Sequence, residues 1–124
     1  QLAVMNMDSV AQRLAGQPIE LLHMDIQGAE LGFIESMSAA VKGKLLRFVM
    51  VSTHHSTISG SKTTHPDCVE ALRTLGANIL VEHDVIESYS GDGMILASFY
   101  REDAMLQFPE ISRNRAQASL FKSA

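Results

Sequence analysis

The sequence predicts an α/β domain built on a sheet of three parallel strands and one antiparallel strand, with helices on both faces. Two runs, residues 19–26 and 45–51, are apolar at odd and even positions alike, as expected of strands covered on both sides in a parallel sheet. Helical spacing follows each run, at Leu31, Phe33, Ile34, Met37 and Val41 and again at Val69, Leu72 and Leu75. Strands alternating with helices run parallel through right-handed crossovers. Two further strands, 78–86 and 94–100, are separated only by turn chemistry at Ser88, Ser90, Gly91, Asp92 and Gly93. They should therefore pair antiparallel, as neighbours or with another strand between them.

Taken in order, Asp8 is placed to cap a short helix over residues 9–15, with Val10 and Leu14 on one face and Gly16 at its end. Pro18 precedes the first strand. Gly28 follows that strand and permits a tight turn into a helix over residues 29–40, which Gly43 closes. Residues 52–64 are polar and contain a glycine, so they read as a loop, and connections this long are often functional. Pro66 suits the first turn of a third helix ending at Gly76. The chain thus divides into an α/β body, residues 1–100, and a polar tail or loose helix, residues 101–124.

Composition narrows the function. The 124 residues fit one domain, which buries roughly two-thirds of its unfolded surface. At 46% hydrophobic and 19% charged, the sequence is not that of a disordered chain. A net charge of −4, with no basic surface interleaved with aromatics, argues against nucleic-acid binding. No apolar run approaches the length of a membrane span, and the first ten residues lack the pattern of a secretory signal. Cys68 is the single cysteine, which excludes an internal disulfide, fits a reducing cytosol and gives cytoplasmic as the expected location.

Ligands of open α/β sheets bind at the carboxyl ends of the strands. Two such ends are polar: Asp-Ile-Gln-Gly-Ala-Glu at 25–30 and Ser-Thr-His-His-Ser at 52–56. Their strands run the same way, so Asp25 and His54 or His55 are expected at one rim. A carboxylate beside an imidazole suits polar substrate binding or general-base work. Plainer readings compete. Asp25 and Glu30 favour a helix N-terminus through capping and the dipole alone, and the two histidines read equally as solvated loop residues. Asp25, His54 and His55 match no compact ligand spacing, so no metal is assigned. His65 and Cys68 lack a second pair, and Cys68 reads as a small buried residue. Asp92 reads first as a turn residue. Gly-Ser-Lys-Thr at 60–63 lacks the spacing of a phosphate loop, and Gly91-Asp92-Gly93 lacks the third glycine of a dinucleotide fingerprint. No Gly-x-Ser-x-Gly elbow exists.

Residues 19–30, Ile-Glu-Leu-Leu-His-Met-Asp-Ile-Gln-Gly-Ala-Glu, resemble the FkbM family of S-adenosylmethionine-dependent methyltransferases. That family carries an Asp-[Val/Ile]-[Glu/Gln]-Gly-x-Glu signature at the same strand-to-helix junction. The likeness continues through residues 47–55, 72–76 and the 90–93 turn, within residues 1–100. It implies the C-terminal half of the class I methyltransferase fold, a Rossmann-like sheet of order 3-2-1-4-5-7-6 with strand 7 antiparallel. The four strands here then correspond to 4, 5, 6 and 7, with the last lying between the second and third. The resemblance implies O-methyl transfer from S-adenosylmethionine, with Asp25, His54 and His55 in catalytic positions. Asp25, Gln27, Gly28 and Glu30 then face the cofactor or acceptor. The family's glycine loop after strand 1 and its acidic residue after strand 2 have no counterpart in this sequence.

The strand of residues 19–26 would then have a bare apolar edge, which invites pairing. Residues 2–5, a second copy of the chain in a homodimer, or a missing N-terminal half are the expected covers. Two functions follow: a methyltransferase-like half that works when completed, or a non-catalytic remnant that serves as a dimerisation or binding module.

Overall fold

The computed structural model describes residues 4–111, 113 and 119–121. Helix α1 (Met7–Arg13) is capped by Asn6, whose side chain accepts the Ser9 N–H at 3.0 Å, so the cap lies two residues before the expected Asp8. Strand β1 (Ile19–Met24) follows. The single helix expected over 29–40 is two, α2 (Glu30–Glu35) and α3 (Ser38–Lys42). The break has a local cause. Ser36 Oγ donates to Phe33 O at 2.7 Å and accepts the Met7 N–H at 2.9 Å, so the hydroxyl competes with the helical ladder and ties α1 to this turn.

Strand β2 (Leu46–His54) runs three residues beyond its expected end at 51, and a short helix, α4 (Ser56–Ser59), occupies part of the segment read as loop. Helix α5 (Thr64–Thr74) holds Pro66 in its first turn. Strand β3 (Asn78–His83) stops short of residue 86 because Asp84 and Glu87 form a capping box around a 3₁₀ turn, Val85–Glu87. Strand β4 (Asp92–Ser98) leads into a second 3₁₀ turn, Arg101–Met105.

The sheet order is β1-β2-β4-β3. β1 and β2 pair parallel, and β4 is antiparallel to both β2 and β3. Three strands therefore share a direction and the fourth opposes them from its place between the second and third, as expected.

The expectation of helices on both faces is not met among the described residues. One core joins Met7, Ile34, Met37, Ala40, Cys68 and Leu72 from the helices to Met24, Val49, Val51, Ile95 and Ala97 from the strands. The alternate strand residues Phe48, Met50, Met94 and Leu96 are half-buried, and Leu21 is exposed. Topology explains this. The steps β1 to β2 and β2 to β3 go the same way along the sheet, so crossovers of one hand lie on one face. The two-sided apolar pattern in the sequence records a second face that no described helix covers.

Candidate functional site

Met24 at the end of β1 pairs with Val51, so β2 continues three residues further and carries His54 over the loop that leaves β1. That loop is closed by its own sequence. Glu30, fully buried at the start of α2, accepts the Ile26 N–H at 3.1 Å through Oε1 and the Gly28 N–H at 2.8 Å through Oε2. Between those donors, Gln27 (φ 54°) and Gly28 (φ 107°) both take left-handed backbone. At Gly28 the requirement is doubled, because a Cβ there would come within 2.9 Å of Ser59 Cα. Held backbone strain of this kind gathers at functional sites.

His54 is 6% exposed and lies among three carboxylates. Its Nε2 is 2.9 Å from Asp25 Oδ1 and 3.9 Å from Asp92 Oδ1. Its Nδ1 is 3.2 Å from Glu30 Oε1, yet the two are not aligned, and this buried nitrogen has no hydrogen-bond partner. Asp25 is about half exposed, at 54%, and Asp92 is exposed at 43%. The rim therefore presents two accessible carboxylates to solvent, with a buried imidazole and a buried carboxylate behind them.

Of the residues singled out in sequence, Asp25, His54 and Glu30 come together. Gln27 is exposed on the strained loop, and Gly28 makes its turn possible. His55 is engaged elsewhere: its Nδ1 accepts the Thr57 N–H at 3.2 Å as the cap of α4, and its ring stacks on Phe121 with centroids 4.2 Å apart. Asp92, read as a turn residue, pairs with His54 across the β2–β4 ladder and joins the rim. The signal was available, since an antiparallel fourth strand must begin where the second ends.

Sequence reasoning also missed a chain of buried hydroxyl, buried imidazole and partly exposed carboxylate. Thr53 Oγ1 lies 2.6 Å from His65 Nδ1, and His65 Nε2 lies 2.7 Å from Glu82 Oε1. The order suggests a nucleophile, but Thr53 is fully buried and offers no approach to a substrate. The chain ties β2, α5 and β3 together across β4, where Gly93 leaves the room that a Cβ would take from Thr53 and His65. Cys68 is fully buried on the same helix, and burial, with the nearby charge of Glu30, pushes its thiol up to about 12. It is thereby unreactive.

Among the described residues, no group of three or more His, Cys, Asp or Glu is disposed to hold a metal ion, and no helix is long and apolar enough to cross a membrane. No family model, curated protein or solved structure matches the chain.

Proposed function

We propose that this chain is the acceptor-side half of an S-adenosylmethionine-dependent O-methyltransferase-like domain, with Asp25 and His54 taking the proton from the acceptor hydroxyl. The observation that carries the reading is the rim itself: Asp25 and His54 meet 2.9 Å apart, at the strand end where the sequence resembles such enzymes. The strand order β1-β2-β4-β3 supports it further.

An acceptor entering the rim first meets the half-exposed Asp25. Its carboxylate takes the hydroxyl proton as the oxygen becomes nucleophilic, and His54 Nε2 orients it from behind. Glu30, fixed by two backbone donors, lies 3.2 Å from the other ring nitrogen without a hydrogen bond to it. A positioned base of this kind contributes on the order of 10²–10⁴-fold.

The residues fit the cofactor in part. S-adenosylmethionine supplies an electrophilic methyl from a sulfonium and carries an ammonium group, and the rim carboxylates suit that charged end. A cleft of about 380 Å³ lies beside the loop, lined by Met5, Ile26, Gly28, Ala29 and Phe33 among others. That volume suits a small ligand, but its lining has no carboxylate for ribose hydroxyls.

Calorimetric titration with S-adenosylmethionine tests the reading. Micromolar binding weakened about tenfold, roughly 1.4 kcal/mol, by Asp25→Ala is expected. No heat at millimolar cofactor would remove the cofactor from this chain.

A second reading is favoured by β1, which pairs only with β2 among the described residues and whose Leu21 is 53% exposed on the uncovered face of the sheet. A free, apolar edge is a template for strand addition. In that reading the chain is a non-catalytic module whose edge pairs with a second copy or with an N-terminal half. Leu21→Lys in analytical ultracentrifugation distinguishes them: loss of a dimer supports the module, and an unchanged monomer counts against it.

A further inference from the structure

The residues that flank the rim on both strands build a seat for a flat ring, and the chain fills it with its own Phe121. His55 follows His54 at the end of β2, and Gly91 precedes Asp92 at the start of β4. The two are joined by a hydrogen bond from His55 N–H to Gly91 O at 3.1 Å. The Phe121 ring lies on the His55 imidazole, centroids 4.2 Å apart and planes 23° from parallel. Its edge occupies the space a Cβ on Gly91 would need. Leu120 N–H donates to Tyr89 O at 2.9 Å, which fixes the segment along the same turn, and Ser119 is buried beside it.

Two features mark this as a built seat and not casual packing. Gly91 is left-handed (φ 81°) and buried, so the turn both needs glycine and uses its bare surface. The stack also brings a polar and an apolar ring together nearly parallel, at contact distance. We propose that the His55–Gly91 seat is a subsite for a planar aromatic ring, which Phe121 occupies in cis until a ligand ring displaces it. A tethered ring competes at a high effective concentration, so a free ligand must outbid it. The seat adjoins His54 and Asp92 along the chain, since His55 follows the one and Gly91 precedes the other. That the ring belongs to a methyl acceptor rests on the methyl-transfer reading; the seat itself does not.

The test titrates p-cresol, a planar ring bearing a hydroxyl, into the full chain and follows backbone amide shifts. Phe121→Ala is expected to bind p-cresol about twofold to tenfold more tightly than the wild type, the range a lost aromatic pair gives. The shifts should centre on His55 and Gly91. Equal affinity in the two proteins, or shifts centred elsewhere, overturns the proposal. Gly91→Ala should free the Leu120 amide for hydrogen exchange. Gly60→Ala, with a similar φ of 77° and open space around it, should not. If both act alike, backbone strain and not the seat accounts for the effect, and the proposal fails. No cofactor enters the experiment, so failure to bind S-adenosylmethionine would remove the methyl-transfer reading and leave this one standing.

Discussion

Arg47 and His54 stand at opposite ends of one strand, about 23 Å apart at the usual rise, and each is surrounded by carboxylates. Around Arg47 each side-chain nitrogen has a carboxylate partner. Its Nε and Nη2 donate to the two oxygens of Asp103 at 2.9 and 2.7 Å, and Nη1 donates to Glu20 at 2.8 Å. Ser98 Oγ donates to Asp103 at 2.6 Å and accepts the Tyr100 N–H at 3.0 Å. Around His54 the count does not close, because Nδ1 is buried without a hydrogen-bond partner. Buried polar groups in folded proteins are nearly always paired, so an unpaired one marks a place to look for function. The closed network holds the fold together at one end of the sheet. The open one is where chemistry is proposed at the other.

The largest effect should come from breaking the closed network. Asp103→Ala leaves Arg47 with Glu20 alone and Ser98 Oγ without its acceptor, and removing one member of such a buried pair is far costlier than never having had it. The melting temperature is expected to fall by roughly 10 °C, measured by circular dichroism, with the rim unchanged. The same carboxylate sets an acid limit. Its hydrogen bonds from Arg47, then from Ser98, hold it down at about 2 against the opposing effect of burial. A carboxylate lowered on folding stabilises above its unfolded value of roughly 3.9, and that contribution drains away as pH falls from there through about 2. Asp103→Ala should flatten the acid unfolding curve over that window. A curve as steep as the wild type's would assign the acid limit to another carboxylate.

What the sequence disclosed divides along the same line. The Asp-Ile-Gln-Gly-Ala-Glu block was legible because its hydrogen bonds are local: Glu30 reaches back only two and four residues. The meeting of Asp25 and His54 was legible because parallel strands bring their carboxyl ends together. The Arg47–Asp103 pair spans 56 positions, and no local pattern records such a contact. The break between α2 and α3 escaped for a similar reason, since Ser36 acts partly through Met7, 29 residues away. Helices on both faces were expected because β2 is apolar on both sides. Periodicity reports burial and cannot say which element does the burying.

Glu30→Gln probes the border between the two networks. The amide keeps the shape but exchanges one acceptor oxygen for a donor, so either Ile26 N–H or Gly28 N–H loses its acceptor. A part-buried donor left in this way costs about 1 kcal/mol. Chemical denaturation should record that loss, and hydrogen exchange should show faster opening at residues 26 and 28 only. Global protection loss of the same size throughout the sheet would make Glu30 part of the core and not a clasp for the loop.

The smallest stability change is expected where the functional claim is strongest. His54→Phe fills nearly the same space and removes the unpaired Nδ1, whose burial costs about 1–3 kcal/mol. It also removes the one basic group facing Glu30 and Asp25, which acts in the opposite direction. The two effects should nearly cancel, leaving unfolding in urea within about 1 kcal/mol of the wild type with an unchanged denaturant slope. Under the methyl-transfer proposal, the proton transfer assigned to Asp25 should slow all the same, because its orienting imidazole is gone. A protein keeps an imidazole that its fold does not need when the imidazole does something else. If His54→Phe instead destabilised the chain as much as Asp103→Ala, the imidazole would be a second anchor of the sheet, and the distinction between its two ends would disappear.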